Sequence, residues 1–541
     1  MSTQNVTVRS AVAGIRAVAV SGGVFATPAQ VAALTAADAA GEWPGSWVAR
    51  RLGLRMEAAA DSVGPRFSMD VLAEAADAAR LRALVGLALR RNPRRAHLLV
   101  STVLGKHVPQ LPHVVHDAGR ALGALVRGVL EDEDGCSGTA GLLDTGRPPK
   151  VSAFVEYGAA PVVLGYAETA TGLGHCVAES LPGATYLHST RRPVDGVAPL
   201  GGFEEEHSHA TSHLLLPEDP DWLTGGAPLV LVDDELSTGR TVLNTIEALH
   251  RVAPRTRYVI ASLIDVRRPG DRRDMEAFAA RLGVRVDVVA LAGGVVELPD
   301  DALRRGAELV AAEEARRTTA VPSAPTGAGT GTGVPSAGAG EIVRLALAWP
   351  PGLPDGGRHG FTAWHQSLLD AALPRLGSEL AGQLAGARRV LVLGFEELMY
   401  APLRLARALA DAFAEADPGS GTGTGADAGV EVRYSTTTRS PVLAVDDPGY
   451  AIRTRLAFPA HDDPADGPGE RYAYNVDPGT DHARRFDTIV LVVDDVADTP
   501  ALHAPGGLLD ALSRVSDRTA LAVLPGYVPA SARTPRPEAA V

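Results

Sequence analysis

The stretch Leu229-Val230-Leu231-Val232-Asp233-Asp234-Glu235-Leu236-Ser237-Thr238-Gly239-Arg240-Thr241 decides the fold of the first half of this chain. Leu229 to Val232 form an unbroken apolar run, the pattern of a parallel strand buried on both faces. Asp233 and Asp234 stand at its C-terminal end, where open α/β sheets bind their ligands. A hydroxyl- and glycine-rich turn follows, and Val242, Leu243, Ile246 and Leu249 then recur at helical spacing. Such a strand, turn and helix aim backbone N–H groups, hydroxyls and the positive end of a helix at one point, which suits a phosphate. The adjacent carboxylates suit sugar hydroxyls or a divalent metal. One short loop can therefore hold a sugar ring and its phosphate together.

Upstream, Ala160-Pro161-Val162-Val163-Leu164-Gly165-Tyr166 reads as a second apolar strand. Ala167-Glu168-Thr169-Ala170-Thr171-Gly172-Leu173-Gly174 follows as a loop, with a helix expected from His175 through Ala178. The apolar strand, the acid pair and Thr238-Gly239-Arg240-Thr241 resemble the phosphoribosyl-pyrophosphate (PRPP) motif of type I phosphoribosyltransferases. That resemblance implies that Asp233 and Asp234 hold the ribose 2′- and 3′-hydroxyls and carry catalysis. It also implies that Ser237, Thr238, Gly239, Arg240 and Thr241 wrap the 5′-phosphate. The bland alternative is a polar β–α turn or a response-regulator-like acidic strand end, which needs no acid pair before its hydroxyls.

Orotate-type members of that family carry a similar strand, Thr-Ala-x-Gly-rich loop and helix where pyrophosphate is gripped. By resemblance, Thr169, Ala170, Thr171 and Gly172 take that role, their glycine permitting close backbone approach. Ala184 to Arg192 reads as a short strand ending in Arg191 and Arg192, whose guanidinium groups are suited to diphosphate oxygens. A solvated arginine pair is the alternative there. Lys106, in a Gly-Lys-His loop after the strand that begins near His97, is a further candidate for an anion contact or a plain turn lysine; it lacks the spacing of a P-loop.

Gly201 to His213 is polar and reads as a surface loop. In the resembling family a mobile hood here closes over the substrate and excludes water, a role that would fall to Glu205, His207 and His209. Zinc is the rival reading, but these histidines lack a cysteine set or a helical His-Glu-x-x-His pattern.

Thr318 to Gly340 is a Gly/Thr/Pro/Ala tract with the composition of a flexible linker. Beyond it a second α/β unit begins, with strands expected at Arg389–Gly394, Val430–Tyr434 and Thr488–Asp495 and a helix carrying Pro402 at its first position. Pro418 to Gly429 reads as a loop insertion. The segment Thr438-Arg439-Ser440-Pro441, with Glu396-Glu397-Leu398-Met399-Tyr400 and Tyr450-Ala451-Ile452, resembles the TRSP domain. That domain follows a phosphoribosyltransferase domain in bacterial proteins of tellurium-resistance and stress-response gene clusters. Thr437, Thr438, Arg439 and Ser440 supply hydroxyls and a guanidinium at a strand end, a candidate second anion site. Asp494 and Asp495 repeat the strand-plus-acids theme without a Thr-Gly-x-Thr turn, so they are not a second PRPP motif.

The 541 residues are enough for two cored domains, and a net charge of −13 argues against a general nucleic-acid binder. Two cysteines, Cys136 and Cys176, provide neither a disulfide framework nor a zinc site, as expected of a cytoplasmic protein. No signal-peptide pattern or membrane-length apolar run is evident.

The expected organisation is an N-terminal extension over 1–45, a type I phosphoribosyltransferase-like parallel sheet with flanking helices over 46–317, and a linker over 318–340. A second α/β domain of TRSP type over 341–530 and a tail over 531–541 complete it. The resemblance implies an Mg²⁺-dependent glycosyltransferase of nucleoside biosynthesis that uses PRPP and a nitrogenous acceptor. The metal would be carried by the diphosphate and supported by Asp233, and a homodimer is the expected assembly. The competing class is a non-catalytic PRPP or nucleotide sensor, or a partner-binding protein.

Overall fold

The computed structural model describes residues 43–57, 80–92, 95–131, 160–194, 196–204, 212–320, 339–416, 429–462, 469–527 and 529. Residues 1–42 of the expected extension, Cys136, the hood residues Glu205, His207 and His209, and positions 321–338 of the linker lie outside them. So do the insertion at 418–428 and the tail at 531–541.

Two five-stranded sheets organise the described chain. The first runs Arg285–Gly293, Arg257–Asp265, Leu229–Leu236, Val162–Gly165, Thr185–His188, every pair parallel. The second runs Glu341–Arg344, Arg518–Leu524, Thr488–Asp494, Arg389–Gly394, Glu431–Thr436, again parallel throughout. Leu229 to Val232 and Val390 to Leu393 are buried on both faces, as their unbroken apolar runs require. Helices cover the faces, and Pro112–Glu131 packs against both Thr171–Glu179 and Tyr400–Ala416.

Local boundaries depart from the sequence reading for local reasons. The acidic strand runs on through Asp233, Asp234 and Glu235 to Leu236, because these residues stay in register with Ser262 to Asp265 of the neighbouring strand. The helix expected at His175 already begins at Thr171, and Thr171 to Ala178 are buried in it. Gly201–Glu204 and Ser212–Leu215 form a hairpin where a surface loop was expected. Trp43 is buried, its indole N–H donating to Val85 O at 3.0 Å, although its position falls in the expected extension.

One edge strand of each sheet is met by the other half of the chain, which pairs backbone groups the sheet leaves open. Tyr186 on the edge of the first sheet exchanges two hydrogen bonds with Phe361, at 2.9 and 2.7 Å. Tyr434 on the edge of the second exchanges two with Gln110, at 2.9 and 2.8 Å. Trp47 stacks edge-on against Tyr450 with ring centroids 5.3 Å apart. A single apolar core takes in Leu164 and Leu231 of the first sheet with Val392 and Val490 of the second. The two halves are therefore docked.

Close helix packing also makes one glycine necessary. A Cβ at Gly377, in Ala363–Gln383, would lie 2.4 Å from the Ala408 carbonyl oxygen of the facing helix Tyr400–Ala416. Gly377→Ala gains about 1 kcal/mol of helix propensity but is expected to lose about 1–3 kcal/mol to overpacking. Urea unfolding should show a lowered midpoint; a raised one would mean that the helices separate at no cost.

Candidate functional site

Val162–Gly165 and Leu229–Leu236 are adjacent parallel strands with Gly165 opposite Val232, so the loops leaving their C-terminal ends stand side by side. From one strand come Asp233, Asp234 and the turn Ser237 to Thr241. From the other comes the segment Ala167 to Gly172. Gly239 holds φ +81°, a left-handed conformation that lets the turn close directly onto the helix Arg240–Val252. Asp234 N–H donates to its neighbour's carboxylate, Asp233 Oδ1, at 2.9 Å. Burial pushes the Asp234 carboxyl up, opposed mainly by the Lys106 ammonium. Burial also raises Glu235, and the Asp234 charge adds to the shift. Such under-compensated acids favour ligands that bring hydroxyl donors or a cation.

A wall absent from the sequence reading comes from the hairpin Val85–Asn92/Arg95–Ser101. Arg95 Nη2 donates to Ser237 Oγ at 2.8 Å, and its Nη1 lies 3.3 Å from Glu235 Oε1. Arg95, His97, Glu235, Ser237, Thr238 and Arg268 line a cavity of about 280 Å³ beside the turn. Burial, with the Arg95 and Arg90 charges, holds the His97 imidazole neutral by lowering its pKa to about 4.

Lys106 is brought to the second loop. Its Nζ donates to Thr169 Oγ1 at 2.8 Å and stands 3.5 Å from Glu168 Oε1. Burial alone would raise the Glu168 carboxyl, but Lys106, a hydrogen bond from Thr438 and the Arg191 and Arg439 charges bring it below the usual range. Thr171 and Gly172 are buried at the helix start, and a Cβ on Gly172 would meet Met399 Cβ at 3.0 Å. Gly172 thus permits contact with the second half of the chain.

The paired arginines separate in role. Arg192 is ion-paired with Asp494, and with Asp462 at 3.1 Å, so it serves the contact between halves instead of standing free as a solvated side chain. The Arg191 backbone N–H donates to Glu397 Oε1 at 2.8 Å, and Thr190 donates to Glu397 Oε2 at 2.6 Å. The Arg358 guanidinium, His188 and these two hydrogen bonds outweigh burial and hold Glu397 down at about 2.

The Thr-Arg-Ser segment, read from the sequence as a candidate second anion site, lies against the first half of the chain. Thr437 and Thr438 are fully buried. Thr437 Oγ1 accepts from Glu396 N–H at 3.0 Å, and Thr438 Oγ1 accepts from Ser440 N–H at 3.2 Å. Arg439 Nε donates to Glu396 Oε2 at 2.5 Å, while its backbone N–H reaches Glu168 Oε2 at 3.3 Å. Arg471 Nε holds the other oxygen of Glu396 at 2.6 Å. The segment and the Ala167–Gly172 loop form one cluster. Glu168, Glu396 and Glu397 were quoted in the sequence without a role, and only the docking of the halves reveals it. Arg95 carried no signal in the sequence.

Residues 84–295 match the family model described as phosphoribosyl transferase, and 355–512 match the one described as the TRSP domain C-terminal to it. The chain carries a phosphoribosyl transferase domain followed by a TRSP domain. The transferase match supports the enzyme class that the motif implied. No curated protein matches. Solved structures similar to the transferase domain include the adenine phosphoribosyltransferase of Rhodothermus marinus, 16% identical over 39% of this chain and 96% of its own, with a TM-score of 0.24. That of Giardia lamblia is 17% identical over 40% and 96%, with a TM-score of 0.25. The orotate phosphoribosyltransferase of Mycobacterium tuberculosis is 14% identical over 33% and 71%, with a TM-score of 0.18.

Proposed function

We propose that the protein transfers phosphoribose from PRPP to a nitrogenous acceptor, or removes it from a nucleotide-like compound, in making a nucleoside-like metabolite. The observation that carries this reading is the juxtaposition of the Asp233–Asp234 acid pair and the Ser237–Thr241 turn with the Lys106-braced loop at Glu168–Gly172. Asp233 and Asp234 accept hydrogen bonds from the ribose hydroxyls. Ser237, Thr238 and Thr241 with the turn's N–H groups and the helix N-terminus take the 5′-phosphate. Thr169 to Gly172, with Lys106, hold the diphosphate end. Catalysis then rests on positioning and charge stabilisation, without a covalent nucleophile.

The donor set fits Mg²⁺, which prefers oxygen ligands and is commonly held by one or two carboxylates together with substrate phosphates. Asp233, half-buried beside Asp234 at the strand end, is the carboxylate we assign to it. When bound, the ion neutralises diphosphate charge in the leaving group. The TRSP domain ties the proposed setting to bacterial stress-response chemistry of the tellurium-resistance type. Among the described residues no helix is long and apolar enough to cross a membrane, and a cytoplasmic location is part of the proposal. The sensor reading draws on the TRSP contact with Glu168, through which ligand occupancy could reach the second domain.

Calorimetric titration of the full chain with PRPP and MgCl₂, followed by assay of pyrophosphate release with a panel of nitrogenous bases, tests the proposal. Saturable binding and release with at least one base are expected. Binding without turnover for any acceptor favours the sensor; no binding overturns both.

A further inference from the structure

We propose that the Arg439 backbone of the TRSP domain, anchored by Glu396, positions the pyrophosphate-binding loop of the transferase domain, acting through Glu168. The proposal deepens the transferase reading and rests on it. Glu168 is buried and held from two sides. Lys106 stands 3.5 Å from its Oε1, while the Arg439 N–H donates to Oε2 at 3.3 Å. Lys106 is shared with Thr169 Oγ1 at 2.8 Å, so the direction in which Glu168 points also fixes the ammonium and the loop hydroxyl. Four residues on, Gly172 packs against Met399 of the TRSP domain, so both ends of the loop bear on the second domain.

The grip is itself anchored. Glu396 holds φ +49°, a left-handed conformation uncommon for a non-glycine residue. Its carboxylate is shared between the Arg439 and Arg471 guanidinium groups, at 2.5 and 2.6 Å. Thr437 Oγ1 accepts its backbone N–H. This fixes the Thr438–Arg439 backbone, which reaches Glu168. The segment also lies within a backbone pair, as Thr438 and Tyr472 exchange two hydrogen bonds at 2.9 Å each. A buried, fully engaged strand end of this kind holds a neighbour in place and is a poor receptor for a free anion. The TRSP domain is on this account part of the transferase site, and Glu396 is a positioning residue.

Glu396→Gln in the full chain keeps the shape and replaces one of the two oxygens held by Arg439 and Arg471 with an N–H donor. Binding of inorganic pyrophosphate, of PRPP with Mg²⁺ and of ribose 5-phosphate is measured by calorimetry, with thermal unfolding as the control for folding. Loss of one hydrogen bond to a guanidinium group leads to an expected loss of about tenfold in pyrophosphate affinity for Glu396→Gln. Ribose 5-phosphate affinity should be unchanged, because that ligand belongs to the Ser237–Thr241 turn. Should Glu396→Gln fail to fold, Glu168→Gln is read by the same selective loss. Wild type that binds all three ligands, with the folded variant within about twofold for pyrophosphate, overturns the positioning role alone. Equal losses for pyrophosphate and ribose 5-phosphate overturn it too, as a general structural effect. Wild type that binds none of the three overturns the transferase reading and this inference with it.

Discussion

Replacing Asp233 and Asp234 together with Asn is expected to weaken PRPP binding by at least about a hundredfold, since two charge-assisted hydrogen bonds of about 1.5–3 kcal/mol each are lost. The fold should survive, because the Asp234 carboxyl is already disfavoured in its charged form by burial. The sign of the pH dependence follows from that shift. A carboxyl raised above its ordinary value becomes protonated earlier on acidification, so PRPP affinity of the wild type should begin to fall at a higher pH than a solvated aspartate dictates. The double variant should lack this contribution. Calorimetry across pH, with thermal unfolding as a control, is the measurement. Unchanged affinity in a folded double variant would remove both carboxylates from the sugar site.

The strand, acid pair and turn were readable because each is a local pattern: four apolar residues, two acids, then hydroxyls and a glycine. The observed strand Leu229–Leu236 and helix Arg240–Val252 correspond closely to it. The Arg389–Gly394 strand was equally plain. What was not readable depends on contacts distant in sequence. Arg95 joins the turn across 142 residues, and Arg439 reaches Glu168 across 271. Neither arginine differs in its neighbourhood from a solvated one, so no spacing could announce the contact. Assigning Thr437, Thr438, Arg439 and Ser440 to a separate anion site followed the same limit. Hydroxyls and a guanidinium at a strand end suit an anion equally well whether the end faces solvent or a neighbouring domain. Burial decides between these, and burial is set by the docking of the two sheets.

That docking should be sensitive to one carboxylate. Glu179 ends the helix Thr171–Glu179 of the transferase domain, where the helix dipole disfavours a negative charge. It nevertheless accepts hydrogen bonds from Tyr400 OH at 2.9 Å and Arg404 Nη1 at 3.2 Å, both on the second-half helix Tyr400–Ala416. His116 Nε2 lies 2.6 Å away, and Arg407 Nη1 donates to His116 Nδ1 at 2.5 Å, so a neutral His116 must present its Nε2–H to Glu179. Burial opposes ionisation, but the His116 hydrogen bond and the Arg404 charge prevail and hold Glu179 at about 2. A native pKa depressed in this way contributes stability that is present above the ordinary carboxylate range and is lost as pH falls through that range toward about 2. The shift corresponds to about 3 kcal/mol at neutral pH. Glu179→Gln should therefore lower the unfolding free energy by about that amount at pH 7, and the difference from wild type should shrink as pH falls from about 4.5 toward 2. Urea unfolding followed at several pH values, by tryptophan fluorescence and far-ultraviolet circular dichroism together, reads both effects. Because each half of the chain covers a sheet edge of the other, the wild-type transitions by the two probes should coincide. A gap between variant and wild type that stays constant on acidification would show that Glu179 acts through packing, with its charge contributing nothing to the union of the two domains.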